Sequence, residues 1–566
     1  MIAALIAPAI PQLGTTAELP DSSPTVTTDA GIVAADHPIA SKIGARVLAD
    51  GGTAMDAGIA TLLALGVVNP FSSGLGGGGF CLYRPSSSGR VTVFDFREVA
   101  PMKATRDMYV VDGEVKQKWM LRGGKAVGVP GEPAGLWAMA HHFGSLDWKR
   151  LVEPAHRLAE EGHRVTSLLV ERLKNNAEKL NERPTLAGVF QEEDGSWVDE
   201  GDTLTRPALA RSLNRLRNEG SAPFYHGEIA SAIVDAVNRA GGIFQRKDLR
   251  RYAIATREPI SGTYRGYQVY GMPPSSSGGT TLVETLNILE GYDLTSYGRT
   301  PKGIHLIVEA LKHAFADRAA YLGDTDFAEV PLDRLTSQSY ADKLRAQIKP
   351  ASVLAPKSYG TKAPLPDDHG TTHVSVVDAE RNMLACTSTI NLSFGSMVFV
   401  PEWGLILNDE MGDFTAQPGV ANNYGLVGTE KNAVAPRKRP LSSMSPTLIL
   451  DPEGRPYMAI GASGGPAIIT GTLFGFLNTV EFGMSPSEAI AAPRIHHQWM
   501  PYKLFMEAPA GMRSELEQMG HEIEVRPAWS NVQMVVRSDD STWTGVSDPR
   551  KGGRPAASDR QSPGSE

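Results

Sequence analysis

Seven consecutive residues, Asp367-Asp368-His369-Gly370-Thr371-Thr372-His373, hold the most suggestive chemistry in this chain. A threonine hydroxyl is a weak nucleophile unless a base takes its proton. One available base is the α-amino group of the same residue, when that residue is an N-terminus. Such an amine ordinarily titrates near pH ~8, so a useful fraction is neutral near neutral pH. Thr371 reaches that state only if the Gly370–Thr371 bond is broken. Attack of its own hydroxyl on the preceding carbonyl would break it, and Gly370, lacking a Cβ, suits a strained scissile position. Taken locally, the Thr-Thr pair also reads as the plain start of a strand.

Other motifs permit less. Gly74 to Phe80 (GLGGGGF) follows a helical pattern and precedes Cys81. It therefore lacks both the Lys-Ser/Thr of a phosphate loop and the leading strand of a dinucleotide fingerprint, and reads as tight backbone packed beside other chain. Gly461-Ala462-Ser463-Gly464-Gly465 matches a nucleophile elbow. That elbow needs an acid and then a histidine downstream, and no Asp lies between Ser463 and His521. Adjacent His496-His497 cannot share a helix face, and no HExxH occurs, so a partly exposed polar pair is expected and no metal. The two cysteines, Cys81 and Cys386, sit in apolar runs, excluding a disulfide framework or CxxC site and reading as buried small side chains.

The elements that must position these residues change character at Gly370. Upstream, Ile39, Ile43, Val47 and Leu48 mark a helical face stopped by Gly51-Gly52, and Met55, Ile59, Leu62 and Leu63 mark the next. A strand is predicted at 80–83, and an amphipathic helix at 304–321 within a helix-rich middle. A Pro/Gly/Asp loop at 355–370 ends that part. Downstream, His373–Asp378 and Met383–Ile390 flank a polar turn as a hairpin, a second strand pair flanks Asp451–Gly454, and further strands fall at 531–537 and near Thr544. Residues 1–30 read as a leader and polar linker, 31–370 as a helix-rich part, 371–553 as a strand-rich part and 554–566 as a disordered tail.

Bulk properties agree with an ordinary globular protein. The 566 residues are 41% hydrophobic and 21% charged, with a net charge of −8 and no basic block to track nucleic acid. Met1–Ile10 is apolar but too short to span a bilayer, and it lacks a basic n-region because the first lysine is Lys42.

Thr371-Thr372-His373-x-Ser375-Val376-Val377-Asp378 resembles the self-processing site of the γ-glutamyltransferases, also called glutathione hydrolases, of the N-terminal nucleophile superfamily. The resemblance runs from about Gly31 onward. It takes in Gly51-Gly52-x-Ala54-x-Asp56-Ala57, the glycine run, Asp95–Pro101, Val129-Pro130-Gly131, Met272-Pro273-Pro274, Arg439–Thr447 and Ser547-Asp548-Pro549-Arg550. It implies an α+β fold, the four-layer αββα sandwich, translated as one chain and cleaved into a large subunit ending at Gly370 and a small one starting at Thr371. By position, Thr371 would attack the γ-carbonyl and Thr389 would hydrogen-bond it. Gly464 and Gly465 would supply oxyanion-hole N–H groups. Arg97 with Ser442 and Ser443 would hold the donor α-carboxylate at one end of the site, and Glu410, Asp413 and Asn391 the α-ammonium at the other. Tyr424, within Pro418–Pro436, resembles part of a lid.

The implied partners are glutathione or other γ-glutamyl amides, with water, amino acids or peptides as acceptors, and no cofactor, nucleic acid or membrane span. A periplasmic or extracellular location follows from the resemblance alone. One departure stands out. The family's Asn-Asn-Gln/Glu-Met-Asp-Asp-Phe is Asn408-Asp409-Glu410-Met411-Gly412-Asp413-Phe414 here, a change expected to loosen the loop or alter its charge. Two rival readings are a cephalosporin- or glutaryl-type acylase on the same scaffold, and an unprocessed, catalytically silent binding protein.

Overall fold

The alternating residues after Gly370 form antiparallel strands Thr372–Val377 and Met383–Thr389, with Thr372 opposite Ser388 and Val377 opposite Met383. Every residue of both strands is buried, so the hairpin lies in the middle of a sheet and not at its edge. A computed structural model describes residues 22–355, 370–507, 510–527 and 529–558. The predicted loop at 355–370 and the apolar stretch Met1–Ile10 fall wholly or largely outside the described residues.

Two seven-stranded antiparallel sheets build the centre. The first runs Ala556–Ala557, Ile32–Ala35, Thr372–Val377, Met383–Thr389, Gly78–Arg84, Thr92–Asp95 and Ala255–Arg257. The second runs Thr25–Thr28, Trp543–Ser547, Asn531–Arg537, Pro456–Ser463, Thr447–Leu450, Tyr267–Gly271 and Ile260–Tyr264. Their inner faces pack together where Thr372–Val377 and Met383–Thr389 meet Pro456–Ser463. Helix Ala54–Val68 covers the outer face of the first sheet, and helices Gly278–Leu289 and Ala467–Val480 cover that of the second. This is the αββα sandwich.

Local sequence explains why Ala54–Val68 can be an inner helix. It is apolar on nearly all sides, and helix Trp148–Glu161 packs over its far side. Thr53 and Asp56 close its N-terminus as a capping box, and Asp378 accepts the Ala54 N–H at 2.7 Å. Asp378 therefore pins this helix against the nucleophile hairpin, while Asp56 caps it and also accepts from Ser145.

Three expectations are corrected. The linker and tail both contain strands: Thr25–Thr28 pairs with Trp543–Val546, and Ala556–Ala557 pairs with Ile32–Val33. Each is too short to carry an apolar period, and each is held by ladder hydrogen bonds at a sheet edge. The change of texture at Gly370 is not a spatial boundary. The first sheet takes four strands from before Gly370 and three from after it, and the second takes three and four. Finally, Cys81 and Cys386 are fully buried as expected, but they are bonded to each other. They face one another in register across strands Gly78–Arg84 and Met383–Thr389. A separation of 305 residues hides that pairing from any local reading.

Candidate active site

Thr371 sits at the mouth of the central hairpin with φ = 103°. A β-branched residue at positive φ is an outlier, of the kind that stores about 1–3 kcal/mol. The strain expected at Gly370 thus lies on Thr371 itself. Gly370 is required for another reason: a Cβ there would meet the Asn391 carbonyl oxygen at 2.1 Å. The Thr371 and Thr389 hydroxyl oxygens are 3.0 Å apart. Thr389 Oγ1 also accepts the Asn391 N–H at 2.8 Å, and with one proton and two lone pairs it can still either donate to Thr371 or accept from it. The glycine run backs this arrangement. A Cβ at Gly77 would strike the Thr389 carbonyl oxygen at 2.0 Å, and one at Gly79 the Thr387 oxygen at 2.3 Å.

One small cavity gathers Arg97, Thr371, Thr389, Asn391, Glu410, Asp413, Tyr424, Ser442, Ser443 and Gly465. These residues come from distant parts of the chain and include all but two of the expected site positions. Gly464 lies one residue behind its wall at φ = 125°, where a Cβ would meet the Trp529 oxygen at 2.1 Å. Gly370 packs under the Asn391 backbone. Tyr424 is buried, and its hydroxyl donates to Asn391 Oδ1. The residue expected in a lid therefore closes over the polar end of the cavity.

The two charged ends are not apart. Arg97 Nη1 lies 2.6 Å from Glu410 Oε2, and Nη2 lies 2.5 Å from Asp413 Oδ2. Glu98 stands 3.9 Å away, while Asp95 pairs with Arg257 and Arg439. Shielded from water, the guanidinium and carboxylates neutralise one another. Three acids crowd one base, and burial opposes their simultaneous ionisation. Burial raises the Glu98 carboxyl to about 8 although Arg97 opposes it. Burial also lifts Glu410 and Asp413 above the ordinary carboxylate range, again against Arg97. Glu410 Oε1 has no hydrogen-bond partner among the described residues. The pocket can therefore exchange its internal pairs for a zwitterion whose opposite charges sit on one carbon.

Sequence reasoning missed Lys551 and Asp36. The buried Lys551 ammonium donates to the Thr371 carbonyl at 2.5 Å, to Asp36 at 2.8 Å and to Ser463 Oγ at 3.2 Å. Asp36 also accepts from Thr372 Oγ1, the His373 N–H and Gln533 Nε2. This cluster ties the nucleophile strand to the second sheet. No local motif marks it, because its members lie at opposite chain ends. Lys551→Met should leave Asp36 buried without its cation, costing roughly 3 kcal/mol. Denaturant unfolding of the variant in a Thr371→Ala background measures that loss without interference from cleavage.

Several singled-out residues prove structural. Ser463 ends strand Pro456–Ser463 and meets Lys551, not a histidine, which removes the elbow. His373 is held neutral, burial lowering it to about 3, and its ring bonds Thr387 and Ser375. His496 and His497 are buried, not partly exposed; His496 bonds Thr470 and Gln498. Asp548 accepts the Val532 N–H and pairs with Arg494 and Arg550. The loop around Gly412 is packed on both sides. Asp409 Oδ1 accepts the Leu392 N–H at 3.0 Å, and Leu121 and Met120 pack within 3.1 Å of where a Gly412 Cβ would stand. A buried His305–Glu309–His521 group has spacing that could suit a metal ion. The Lys312 ammonium, 2.7 Å from Glu309, already supplies a cation there.

Residues 40–558 match the family model described as Gamma-glutamyltranspeptidase. The chain is 41% identical over 531 residues to the glutathione hydrolase proenzyme of Escherichia coli (strain K12), covering 92% of this chain and 90% of that protein. It is 39% identical over 548 residues to glutathione hydrolase 2 of Arabidopsis thaliana, covering 93% of both. Among solved structures, cephalosporin acylase from Bacillus halodurans superimposes with a TM-score of 0.83 at 27% identity, over 98% of this chain and 99% of that one. The gamma-glutamyltranspeptidase of Helicobacter pylori gives 0.55 at 39% identity over 56% of this chain and 91% of that chain.

Proposed function

The chain belongs to the gamma-glutamyltranspeptidase family, and from that premise we propose that Thr371, freed by cleavage of the Gly370–Thr371 bond, is the nucleophile of a γ-glutamyltransferase with glutathione hydrolase activity. The observation that carries the reading is the Thr371–Thr389 hydroxyl pair, 3.0 Å apart, on one cavity wall with Arg97, Glu410 and Asp413.

Maturation and catalysis use the same oxygen. In the precursor, Thr371 Oγ1 attacks the Gly370 carbonyl carbon. The peptide C–N bond breaks, the nitrogen gains a proton, and an ester remains for water to hydrolyse. The new α-amine then accepts the Thr371 hydroxyl proton as the oxygen attacks a γ-glutamyl carbonyl. N–H groups of Gly464 and Gly465 stabilise the oxyanion, a donor of this kind contributing about 3 kcal/mol. The amine of the donor leaves with the proton, and a γ-glutamyl ester of Thr371 forms. Water or an amino-acid or peptide amine then takes the acyl group. Arg97, with Ser442 and Ser443, holds the α-carboxylate, and Glu410, Asp413 and Asn391 hold the α-ammonium.

The acylase reading has one finding in its favour, the close superposition on a cephalosporin acylase. Glu410 and Asp413 argue against it, since a glutaryl group has no ammonium to replace Arg97 between them. Rates on γ-glutamyl and glutaryl anilides separate the two: a γ-glutamyl preference of at least about tenfold is expected, and a glutaryl preference would reverse the assignment. Ionisation gives a second test. The acids that hold the ammonium are raised by burial, so they lose protons as pH rises above the usual carboxylate range. KM for a γ-glutamyl donor should fall as pH rises above the usual carboxylate range, until the donor's own amine begins to deprotonate. A flat KM over that window would remove these acids from donor binding.

Among the described residues no helix is long and apolar enough to cross a membrane. An oxidising compartment, periplasmic or extracellular, is the setting we propose, because the Cys81–Cys386 bond is of a kind that persists there.

A further inference from the structure

Cys81 and Cys386 lie on opposite sides of the Gly370–Thr371 bond in sequence, yet they are bonded in space. We infer that this disulfide is an inter-subunit cross-link, so that self-cleavage yields a mature enzyme whose two chains remain one covalent molecule. The inference rests on the proposed cleavage at Gly370–Thr371.

Three observations support it. First, the pair is built into the sheet. Cys81 and Cys386 are register partners, their Cα atoms 4.2 Å apart, and both are fully buried. Second, it is close to the chemistry. Cys386 lies three residues before Thr389, and Cys81 lies four residues after Gly77, whose backbone abuts Thr389. Third, the two strands carry complementary parts of the site. Gly78–Arg84 pairs with Thr92–Asp95, which leads into Arg97, while Met383–Thr389 pairs with the strand that follows Thr371. The bond therefore joins the sheet strands that lead to Arg97 in one subunit covalently to those that carry Thr371 and Thr389 in the other. It forms by exchange with a small-molecule or protein disulfide. Two thiols become one S–S bond, and the oxidant takes up two electrons and two protons to become two thiols. Burial of both sulfurs implies that exchange precedes final packing, and that the finished bond resists thiols until the protein unfolds.

Electrophoresis of matured protein, denatured with a thiol-alkylating agent present and run with and without reductant, tests this directly. One full-length band without reductant and two bands with it are expected. Two bands in both lanes, with Cys81 and Cys386 alkylated, would overturn the cross-link while leaving cleavage intact. One band in both lanes would overturn the cleavage, and the cross-link between subunits with it. A Cys81→Ala variant should give two bands in both lanes and retain activity after assembly. Unfolding in urea and then diluting without reductant should restore wild-type activity at a rate independent of protein concentration, whereas the variant should slow as it is diluted. Concentration dependence in the wild type would contradict the cross-link.

Discussion

Replacement of Thr371 by alanine is expected to leave a full-length chain with activity on γ-glutamyl anilides reduced by at least about 10⁴-fold, the scale on which removal of an enzyme nucleophile acts. Two functions vanish together, because one hydroxyl both opens the precursor and accepts the acyl group. The fold should survive, since Thr371 is one small side chain at the start of a strand whose later residues make the ladder to Met383–Ser388. Thr371→Ser retains the oxygen and should cleave and turn over, more slowly, because serine lacks the methyl that fixes the threonine rotamer. Ser463→Ala should cleave normally. Time courses of cleavage on reducing gels, with anilide hydrolysis measured on the same samples, check all three. Processing and turnover by Thr371→Ala would end the assignment.

Arg97→Lys should cost about 10²- to 10³-fold in kcat/KM for a γ-glutamyl donor while self-cleavage proceeds. The guanidinium is the counter-charge for Glu410 and Asp413 and, once a donor displaces them, the planar fork for its carboxylate. Burial alone would lower its pKa, but Glu410, Asp413 and Glu98 together raise it, so it stays charged throughout the working range. Lysine offers a single point charge that cannot span both acids. The expected fold-change corresponds to about 3–4 kcal/mol at about 1.4 kcal/mol per tenfold, at or below the cost of removing a partner from a buried pair outright. Steady-state kinetics alongside a cleavage assay checks the separation. A change of less than about threefold would mean that the donor carboxylate is held elsewhere.

The strand alternation, the helical stripes and the glycine run were legible because each repeats within a few residues. The hairpin after Gly370 and the helix at 54–68 follow from that periodicity. Features that depend on distant partners were not legible. The Thr25–Thr28 and Ala556–Ala557 strands exist only because an edge is waiting for them. The cysteines look inert singly and are bonded across 305 residues. Lys551 reads as an ordinary basic residue just past the Ser547–Arg550 motif until the fold lays it against the Thr371 carbonyl. In the site itself, the residues named by resemblance are ones that the fold brings to one cavity, but their charge pairing was not legible. The contact of Arg97 with the very acids assigned to the opposite end follows from burial, because charges withdrawn from water pair with the nearest opposite charge.

Thr371 as the single acylated residue is the central claim, and intact-mass measurement tests it most directly. Matured protein would be incubated with a γ-glutamyl donor, quenched in acid, reduced to separate the chains, and weighed. The account predicts a small chain beginning at Thr371 that carries one γ-glutamyl group, mapped by fragmentation to that N-terminal residue, and an unlabelled large chain. A label on Ser463, or a γ-glutamyl group on a chain still joined at Gly370–Thr371, would contradict it.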